Sequence, residues 1–287
     1  MEISGKTKVC ALIGDPVEHS LSPIIHNTAF SHLELDFVYV AFKVKKEDLK
    51  KAVNGVRSLG IHGLNVTTPH KETIIKYLDE LDPVAKNVRS VNTVLNINGE
   101  LKGFNTDGVG ALNALKSNSI ELKGKKLLLL GAGGAAKAIA FSLISEVEEL
   151  RILNRTGRKA RQLAKFLCDL SGRKVVGEAF SPNMLRKWLI STDILINATV
   201  VGMHPNVGQT LVKREWLRSE LAVMDIVYNP LETQLIKDAK AVGASVVCGT
   251  EMLIFQGAAS FEIWCRRTAP VEIMKSAVVK KLKNMAD

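Results

Sequence analysis

The order of hydrophobic and polar positions predicts strands and helices in turn along residues 1–107. Short apolar or alternating runs are typical of strands, and amphipathic stretches are typical of helices. The predicted strands are 8–13, 37–44, 61–66, 91–96 and 100–103. The predicted helices are 23–33, 46–59, 70–78 and 83–87. Ser22 is expected to cap the first helix, and Asn98-Gly99 is a hairpin signal between the last two strands.

A second unit begins near residue 118 and continues the same alternation. Its predicted strands are 127–130, 150–153, 175–176, 194–197, 223–226 and 245–247. Its predicted helices run from the end of the first of these strands to about residue 145, then over 157–170, 182–188 and 233–241. The last segment, 254–286, is predicted to be helical apart from 268–270, and we expect it to return to the first domain. This alternation favours an α/β fold.

Composition changes this picture little but excludes several classes of protein. The chain has 287 residues, of which 46% are hydrophobic and 24% charged, as in globular rather than disordered proteins. No apolar run reaches the roughly 18 residues that a membrane-spanning helix needs. The N-terminal residues carry no signal-peptide pattern, so we expect a cytoplasmic protein. Neither the four cysteines nor the six histidines show metal-ligand spacing, so no metal is expected.

The net charge of +10 leaves more than one interpretation open. It can reflect a solvated basic surface, or a field that steers an anionic small molecule such as a carboxylate or phosphate. Nucleic acid is a weaker alternative, because the basic residues are dispersed and only 5% of residues are aromatic, which leaves few stacking platforms.

A glycine-rich motif follows the strand predicted at 127–130 and opens a helix. It reads Gly131-Ala132-Gly133-Gly134-Ala135-Ala136 and matches G-x-G-x-x-A. Gly131 permits the tight turn, Gly133 lets the backbone approach a pyrophosphate, and Ala136 lets the helix pack closely on the strand. The helix N-terminus offers free N–H donors to the anion. The alternative is a glycine-rich turn in an ordinary α/β unit.

The end of the next strand favours NADP over NAD. An NAD site usually has an acidic residue there, about 20 residues after the motif, to bind the ribose 2′-hydroxyl. This chain has Asn154, Arg155, Thr156, Arg158 and Lys159 instead. Cationic side chains bind a 2′-phosphate through charge-assisted hydrogen bonds. The alternative is a solvated basic loop.

Six polar motifs remain that folding alone does not require. In order they are Ser20-Leu21-Ser22-Pro23, Asn65-Val66-Thr67-Thr68-Pro69-His70-Lys71, Ser90-Val91-Asn92-Thr93, Asn105-Thr106-Asp107-Gly108, Tyr228-Asn229-Pro230-Leu231-Glu232-Thr233, and the run from Gly249 to Gly257. With the glycine-rich motif between the fourth and fifth, the chain closely resembles the shikimate dehydrogenase family over its whole length. It departs from the family pattern at Ser90, where glycine is frequent, and at Val200, where proline is common.

The resemblance implies a role for individual residues. Lys71 and Asp107 correspond to the family's catalytic pair. The substrate-binding residues would be Ser20, Ser22, Thr67, Lys71, Asn92, Asp107, Tyr228 and Gln256. The cofactor-binding residues would be Gly131, Ala132, Gly133, Gly134, Ala135, Asn154, Arg155, Thr156, Arg158, Lys159, Ile226 and Gly249. Without the resemblance, Lys71 would be interpreted as a solvated helix residue, Thr67 as a strand terminator and Ser22 as a helix cap.

The implied chemistry suits these residue types. Oxidation of a secondary alcohol moves a hydride to the nicotinamide and a proton to a base. Because a neighbouring carboxylate favours the charged ammonium, we expect Asp107 mainly to orient Lys71 and the substrate hydroxyl while Lys71 relays the proton. The same lysine would donate that proton in the reverse direction.

The resemblance implies a two-domain α/β protein. Residues 1–107 plus 254–287 would form the substrate and catalytic domain, and residues 108–253 a Rossmann dinucleotide-binding domain. The implied activity is the NADPH-dependent, reversible reduction of 3-dehydroshikimate to shikimate in chorismate and aromatic amino acid biosynthesis. The partners would be small molecules and neither nucleic acid nor membrane, with a homodimer allowed. The alternatives are a quinate/shikimate dehydrogenase that uses NAD and a non-catalytic ligand sensor.

Overall fold

A computed structural model of the chain describes residues 2–286, with side chains described up to residue 282. It divides into two compact units. The first unit comprises Met1–Asp107 together with Ile254–Asp287, and the second comprises Gly108–Leu253. Each unit has its own six-stranded sheet.

The first unit contains a mixed sheet. Its strands are β1 (Lys8–Gly14), β2 (Phe37–Lys43), β3 (Gly63–Val66), β4 (Glu80–Leu81), β5 (Thr93–Ile97) and β6 (Glu100–Phe104). The order across the sheet is β2-β1-β3-β5-β6-β4. β1 pairs in parallel with β2 and β3, whereas β5 is antiparallel to both β3 and β6. Parallel pairing brings the carboxyl ends of β1 and β3 to the same edge, where the predicted substrate residues begin.

Helices cover this sheet. They are α1 (Ser22–His32), α2 (Leu49–Ser58) and α3 (Pro83–Val88). The next helix, α4 (Asp107–Ser117), begins at the last residue of this part of the unit, and the rest of it belongs to the second unit. The apolar face of α2, with Leu49, Val53 and Val56, packs on the inward side chains of β1 and β3. Burial of this apolar surface, at about 25 cal/mol per Å², is the main stabilising contribution to the unit.

Several predicted elements differ in the structure. The helix predicted at 70–78 is only a 3₁₀ turn, Ile74–Tyr77. The physical reason is that the carbonyl of Lys71 accepts a hydrogen bond from Val91 N at 2.8 Å, so it is not the acceptor for a helix. Ser22 lies inside α1, Leu21 holds the cap position, and no side chain caps the helix, so the predicted capping role of Ser22 is wrong.

Other differences are smaller. The helix predicted at 46–59 begins as a 3₁₀ turn, Lys46–Asp48, before α2. The two-residue strand β4 was not predicted, because two residues are too few to show a hydrophobic or alternating pattern. The hairpin prediction is confirmed: Asn98 has φ 54° and Gly99 has φ 93°, the left-handed pair that a type I′ turn requires.

The second unit is a doubly wound parallel sheet. Its strands are β7 (Lys126–Leu130), β8 (Glu149–Asn154), β9 (Lys174–Ala179), β10 (Ile194–Asn197), β11 (Ala222–Asp225) and β12 (Ser245–Val247). The order is β12-β11-β10-β7-β8-β9, and every pair is parallel. The helices are α5 (Gly134–Leu143), α6 (Gly157–Ser171), α7 (Pro182–Leu189) and α8 (Gln234–Ala241). This order reverses between β7 and β10, and ligands of such sheets bind outside the carboxyl ends of the strands at that point.

The C-terminal helices are α9 (Gly249–Cys265) and α10 (Val271–Ala286). From Ile254 onward they belong to the first unit. Trp264 Nε1 donates to the carbonyl of Val94 at 3.0 Å, and a side chain at Gly63 would collide with the Trp264 indole. Across residues 2–286, no helix is both long and apolar enough to cross a membrane, and no group of three or more His, Cys, Asp or Glu side chains could hold a metal.

Candidate active site

An ion pair lies at the centre of the polar residues of the first unit. Lys71 follows β3 in the loop before the 3₁₀ turn, and Asp107 is the first residue of α4. Lys71 Nζ lies 2.7 Å from Asp107 Oδ2. The side chains are 23% and 6% exposed, so the carboxylate is enclosed while the ammonium keeps access to solvent. Such a pair can hold a proton at a defined position next to a bound substrate.

Asn92 fixes the other oxygen of this carboxylate. Its Nδ2 donates to Asp107 Oδ1 at 2.8 Å and lies 3.2 Å from Gln256 Oε1 on α9. Its Oδ1 accepts from the backbone N–H of Thr106 at 2.8 Å. We call Lys71, Asp107, Asn92, Thr106 and Gln256 the Lys71 cluster. These five residues come from four separate segments of the chain, so the cluster is a product of the tertiary fold.

A second layer of buried polar groups supports Asn92, and sequence reasoning assigned it no role. Asn65 Nδ2 donates to the Asn92 carbonyl at 3.1 Å and to Ser260 Oγ at 3.1 Å. Ser260 Oγ lies 2.7 Å from Thr93 Oγ1. Asn65 stands in a motif singled out above, and Ser260 lies four residues after Gln256 on the same face of α9, which are the signals that could have found them.

Ser20 and Ser22 lie after β1 and contact one another, because Ser22 N donates to Ser20 Oγ at 3.2 Å. Ser22 is buried and hydrogen-bonds Tyr39, whose hydroxyl donates to Asn65 Oδ1 at 2.7 Å. Burial raises the pKa of Tyr39 well above its ordinary value, and the Ser22 contact opposes that shift only in part. Ser22 is therefore connected to the second layer around Asn92.

Thr67 occupies the carboxyl end of β3. Its backbone N–H donates to the carbonyl of Ile13 at 2.9 Å, and its side chain is half-buried. Gly14 lies directly against it, and any side chain at Gly14 would collide with the Thr67 methyl group. The close approach of β1 and β3 thus fixes Thr67 at the same sheet edge as Ser20. No hydrogen bond described for residues 2–286 joins Thr67 to the Lys71 cluster.

The glycine-rich turn of the second unit has the geometry of a phosphate cradle. Gly131 has φ 118°, and a Cβ there would lie 2.6 Å from the carbonyl oxygen of Ala198. Gly133 precedes α5, and no heavy atom lies within 4 Å of where its Cβ would be. Open space therefore faces the N-terminus of α5, whose first turn carries no acidic residue. These features fit a dinucleotide pyrophosphate.

Residues 154–159, which we call the basic loop, run from the last residue of β8 into the first turn of α6. Asn154 Nδ2 donates to the Thr156 carbonyl at 3.0 Å and closes the loop on itself. Arg155, Arg158 and Lys159 are exposed, and no carboxylate pairs with them in the part of the chain that the structure describes. Arg158 and Lys159 stand in the first turn of α6, where the helix dipole disfavours cations. A bound anion would relieve that repulsion, so the loop fits a 2′-phosphate.

Ile226 and Gly249 come together beyond the ends of β11 and β12, and Tyr228 lies two residues after Ile226. Gly249 lies against the backbone of residues 226 and 227, and any side chain there would collide with the Val227 carbonyl. Burial raises the pKa of Tyr228 above its ordinary value, so the hydroxyl is neutral at physiological pH. This group and the glycine-rich turn lie at the same edge of one parallel sheet.

Asp225 is a further polar residue that sequence reasoning passed over. It is fully buried at the end of β11 and accepts hydrogen bonds from Asn197, Val227 and Thr233. Burial raises its pKa to about 6, against the opposing effect of those three donors. The available signal was an acidic residue inside the apolar run 223–226.

Three family models match the chain in sequence order. They are described as the shikimate dehydrogenase substrate binding domain (residues 12–94), shikimate / quinate 5-dehydrogenase (113–233) and the shikimate 5′-dehydrogenase C-terminal domain (249–279). A shikimate dehydrogenase (NADP(+)) of Methanocaldococcus jannaschii is 47% identical over 281 residues, which cover 98% of this chain and 99% of that protein. The chain belongs to the shikimate dehydrogenase family.

Solved structures of shikimate dehydrogenases match the chain over nearly its full length. A crystal structure in complex with NADP⁺ has a TM-score of 0.91 and 45% identity, and it covers 98% of both chains. A crystal structure of the Thermus thermophilus enzyme, in complex with NADP(H) and shikimate, has a TM-score of 0.85 and 37% identity. It covers 95% of this chain and 99% of that one. The family resemblance and the two-part α/β fold predicted from sequence are both confirmed.

Proposed function

We propose that the chain catalyses the reversible, NADP-dependent reduction of 3-dehydroshikimate to shikimate, with Lys71 and Asp107 as its catalytic pair. The observation that carries this proposal is the ion pair at 2.7 Å, with Asn92 bonded to the second carboxylate oxygen. A shikimate dehydrogenase of 47% identity over almost the whole chain supports the same reaction class.

Lys71 moves the proton in this proposal. NADP, when bound, accepts or supplies the hydride. In the reducing direction, Lys71 Nζ donates a proton to the substrate carbonyl oxygen as negative charge develops there; in the oxidising direction it takes the hydroxyl proton back. Asp107 holds Nζ in place, and Asn92 prevents the carboxylate from rotating away. The enclosed carboxylate keeps the ammonium oriented before substrate arrives, which removes part of the entropic barrier.

The remaining polar residues would bind and orient the substrate. Asn92, Asp107 and Gln256 offer donors and acceptors of the kind that ring hydroxyls require, and they already contact one another. Ser20 and Ser22 would bind the substrate carboxylate through their hydroxyls, with Thr67 as a further donor. Tyr228 is the remaining residue that the resemblance assigns to substrate binding, and burial keeps its phenol neutral.

The second unit would bind NADP at three places along its sheet edge. The pyrophosphate would lie over Gly131, Ala132, Gly133, Gly134 and Ala135, where the α5 N–H groups are free to donate. Arg155, Arg158 and Lys159, with Asn154 and Thr156, would bind the 2′-phosphate. Ile226 and Gly249 would flank the nicotinamide. Cations without a carboxylate partner favour the phosphorylated cofactor over NAD.

The direct test is absorbance at the nicotinamide band with shikimate and NADP, with quinate and NAD as parallel controls. Rapid reduction with shikimate and NADP alone is expected. Activity only with quinate or with NAD would instead assign the chain to the quinate/shikimate type and make the basic loop a solvated surface. Folded protein that is inactive with every combination would overturn the enzymatic proposal in favour of a ligand sensor.

We further propose a cytoplasmic location and a homodimer. All four cysteines are free, as suits a reducing compartment. Two-fold dimers are the commonest assemblies of soluble proteins. Sedimentation at micromolar concentration would test the second point, and a single species of monomer mass would contradict it. Fractionation of the source cells would test the first.

A further inference from the structure

A buried carboxylate with no cationic partner lies at the carboxyl end of β11. Asp225 has no exposed surface, and none of the Lys, Arg or His side chains that the structure describes forms an ion pair with it. Neutral donors surround it instead. Enclosing a charge without a counter-charge opposes folding, and an apolar side chain of similar volume would be less costly. Because burying this carboxylate lowers the stability of the fold, its presence indicates that Asp225 has a role other than stabilisation.

Its hydrogen bonds tie three segments of the second unit together. Oδ1 accepts from Asn197 Nδ2 at 2.9 Å and from the backbone N–H of Val227 at 3.1 Å. Oδ2 accepts from Thr233 Oγ1 at 2.6 Å. Asn197 ends β10, Val227 lies in the turn after β11, and Thr233 caps α8. We call Asp225, Asn197, Val227 and Thr233 the Asp225 clamp.

The clamp continues toward the segments proposed to bind cofactor. Asn197 Oδ1 accepts from the hydroxyl of Thr199 at 2.7 Å, which orders the loop after β10. The carbonyl of Ala198 in that loop faces Gly131 of the glycine-rich turn. On the other side, Gly249 packs on the carbonyl of Val227. The Asp225 carboxylate therefore sets the relative positions of two parts of the sheet edge. One is the loop that faces the glycine-rich turn, and the other is the turn on which Gly249 packs.

We propose that Asp225 is a positioning residue for cofactor binding, and that its ionised carboxylate holds the turn carrying Ile226 and Tyr228 in the conformation that receives the nicotinamide. This inference rests on the proposed function. It assigns Asp225 no contact with substrate or cofactor, since the carboxylate acts through Val227 N and the two neighbouring side chains.

The titration of Asp225 makes the proposal testable. Because its pKa is about 6, Asp225 becomes protonated within the pH range in which binding can be measured. Once protonated, one oxygen becomes a donor and the clamp loses an acceptor for Thr233 or Val227. The titratable group that interacts electrostatically with Asp225 is Cys248, whose own pKa is raised above its ordinary value, chiefly by burial. Cys248 is therefore neutral near pH 6, and it also faces Lys240, Glu232 and Glu251.

The experiment measures the dissociation constant of NADPH for the full chain by fluorescence titration, without substrate, between pH 5.5 and 8. For Asp225→Ala we expect at least about tenfold weaker binding at pH 7.5, the effect of losing roughly one charge-assisted hydrogen bond. Thr233→Val is expected to weaken binding less than Asp225→Ala does. Thr233→Ser, which keeps the hydroxyl, is expected to bind NADPH as wild type does. Thr192→Val is the matched control, because Thr192 is also buried and hydrogen-bonded but lies before β10, at the opposite end of the strand.

Asp225→Asn separates positioning from a merely structural role. It keeps an oxygen acceptor but does not titrate. At pH 5.5 about a quarter of a carboxylate with a pKa near 6 is ionised, so wild-type affinity is expected to fall about fourfold more than that of Asp225→Asn. The phosphate of NADPH titrates equally with both proteins, so its effect on affinity cancels when wild type and Asp225→Asn are compared. The melting temperature of Asp225→Asn at pH 7.5 is expected to be no lower than wild type, because a neutral side chain removes the cost of a buried charge.

The outcomes distinguish this inference from the proposed function. If wild type binds NADPH and oxidises shikimate while Asp225→Ala binds NADPH equally well, the inference is overturned and the function stands. An identical pH dependence in wild type and Asp225→Asn would also overturn it. If wild type neither binds NADPH nor oxidises shikimate, the proposed function fails first and the inference with it.

Discussion

The Lys71 cluster and the basic loop are both built from charged and polar side chains, yet they are organised in opposite ways. In the Lys71 cluster, each side chain is hydrogen-bonded to another, and the Asp107 carboxylate is almost enclosed. In the basic loop, three cations extend into solvent with no carboxylate partner among the described residues. The first cluster is complete before a ligand arrives, whereas the second would be completed by the 2′-phosphate that we propose it binds.

Under the proposed function, this difference follows from what each site must do. Proton transfer requires a donor fixed to within a fraction of an ångström, so its groups are preorganised and their mutual hydrogen bonds offset the cost of burial. A carboxylate partner would compete with a phosphate dianion for the N–H donors of a cationic side chain. Exposed cations without such a partner therefore bind phosphate better than paired ones. With the roles we propose, the two regions are a catalytic use and a binding use of the same residue types.

Lys71→Ala tests the catalytic side and has the largest expected effect. Removing the proton donor should lower turnover by roughly 10²- to 10⁴-fold, since a positioned acid or base contributes about that much. Shikimate binding should remain largely intact, as measured by titration of the variant. Lys102→Ala is the matched control, because Lys102 forms an exposed ion pair with Glu80 in the same unit. Turnover of Lys71→Ala near that of wild type would end the assignment of Lys71.

Arg155→Ala tests the binding side. Loss of one charge-assisted hydrogen bond to the 2′-phosphate should raise KM for NADP about 10- to 100-fold, with little change in kcat and none in KM for NAD. Initial rates with both cofactors measure this. Arg161→Ala provides the control, since Arg161 lies further along α6 and is paired with Glu178 at 3.0 Å. An equal rise for NAD and NADP would show that the loop does not bind the phosphate.

Asn92→Ala tests whether catalysis by Lys71 and Asp107 depends on the hydrogen bond from Asn92. Without the donor at Asp107 Oδ1, the carboxylate is freer to rotate, and kcat/KM should fall about tenfold, the effect of about 1.5 kcal/mol for one hydrogen bond to a charged group. Asn87→Ala is the control, because Asn87 is exposed and bonds only a local carbonyl. Unchanged kcat/KM in Asn92→Ala would mean that Lys71 alone holds Asp107.

His26→Phe tests what the burial of an ionisable side chain costs in the first unit, and its expected effect is on stability rather than on activity. Burial lowers the pKa of His26 to about 3, with an Asn65 contact opposing the shift. Because the folded state binds this proton more weakly than the unfolded chain, the stability present above about pH 6.5 is lost as pH falls toward 3. Between pH 7 and 5 wild type should lose about 2 kcal/mol more than His26→Phe. Phenylalanine keeps the stacking on Tyr39.

Urea unfolding at the two pH values measures this difference. The exposed His32, substituted as His32→Gln, is the control for the loss of a histidine outside the core. Equal losses in wild type and His26→Phe would show that His26 is not the group that titrates.

Sequence patterns predicted the parts of the fold that depend on neighbours along the chain. The apolar runs located all the longer strands, and the Asn98-Gly99 pair specified its hairpin because both residues tolerate positive φ. The loop around Lys71 was predicted as a helix because its local pattern is helical. Its carbonyl is bonded to Val91, 20 positions away, and no local signal announces that bond.

The sequence by itself determined the strand and helix alternation, the tight turn at Gly131 and the types of chemistry the chain carries, because each depends on residues within one or two turns. Only the tertiary structure decided which polar groups pair. Asn92 meets Gln256 across 164 positions, and Asn197 meets Asp225 because β10 and β11 lie side by side in register. Those partners are set by chain topology and by the need of buried polar groups for hydrogen bonds, and neither is visible in a local pattern.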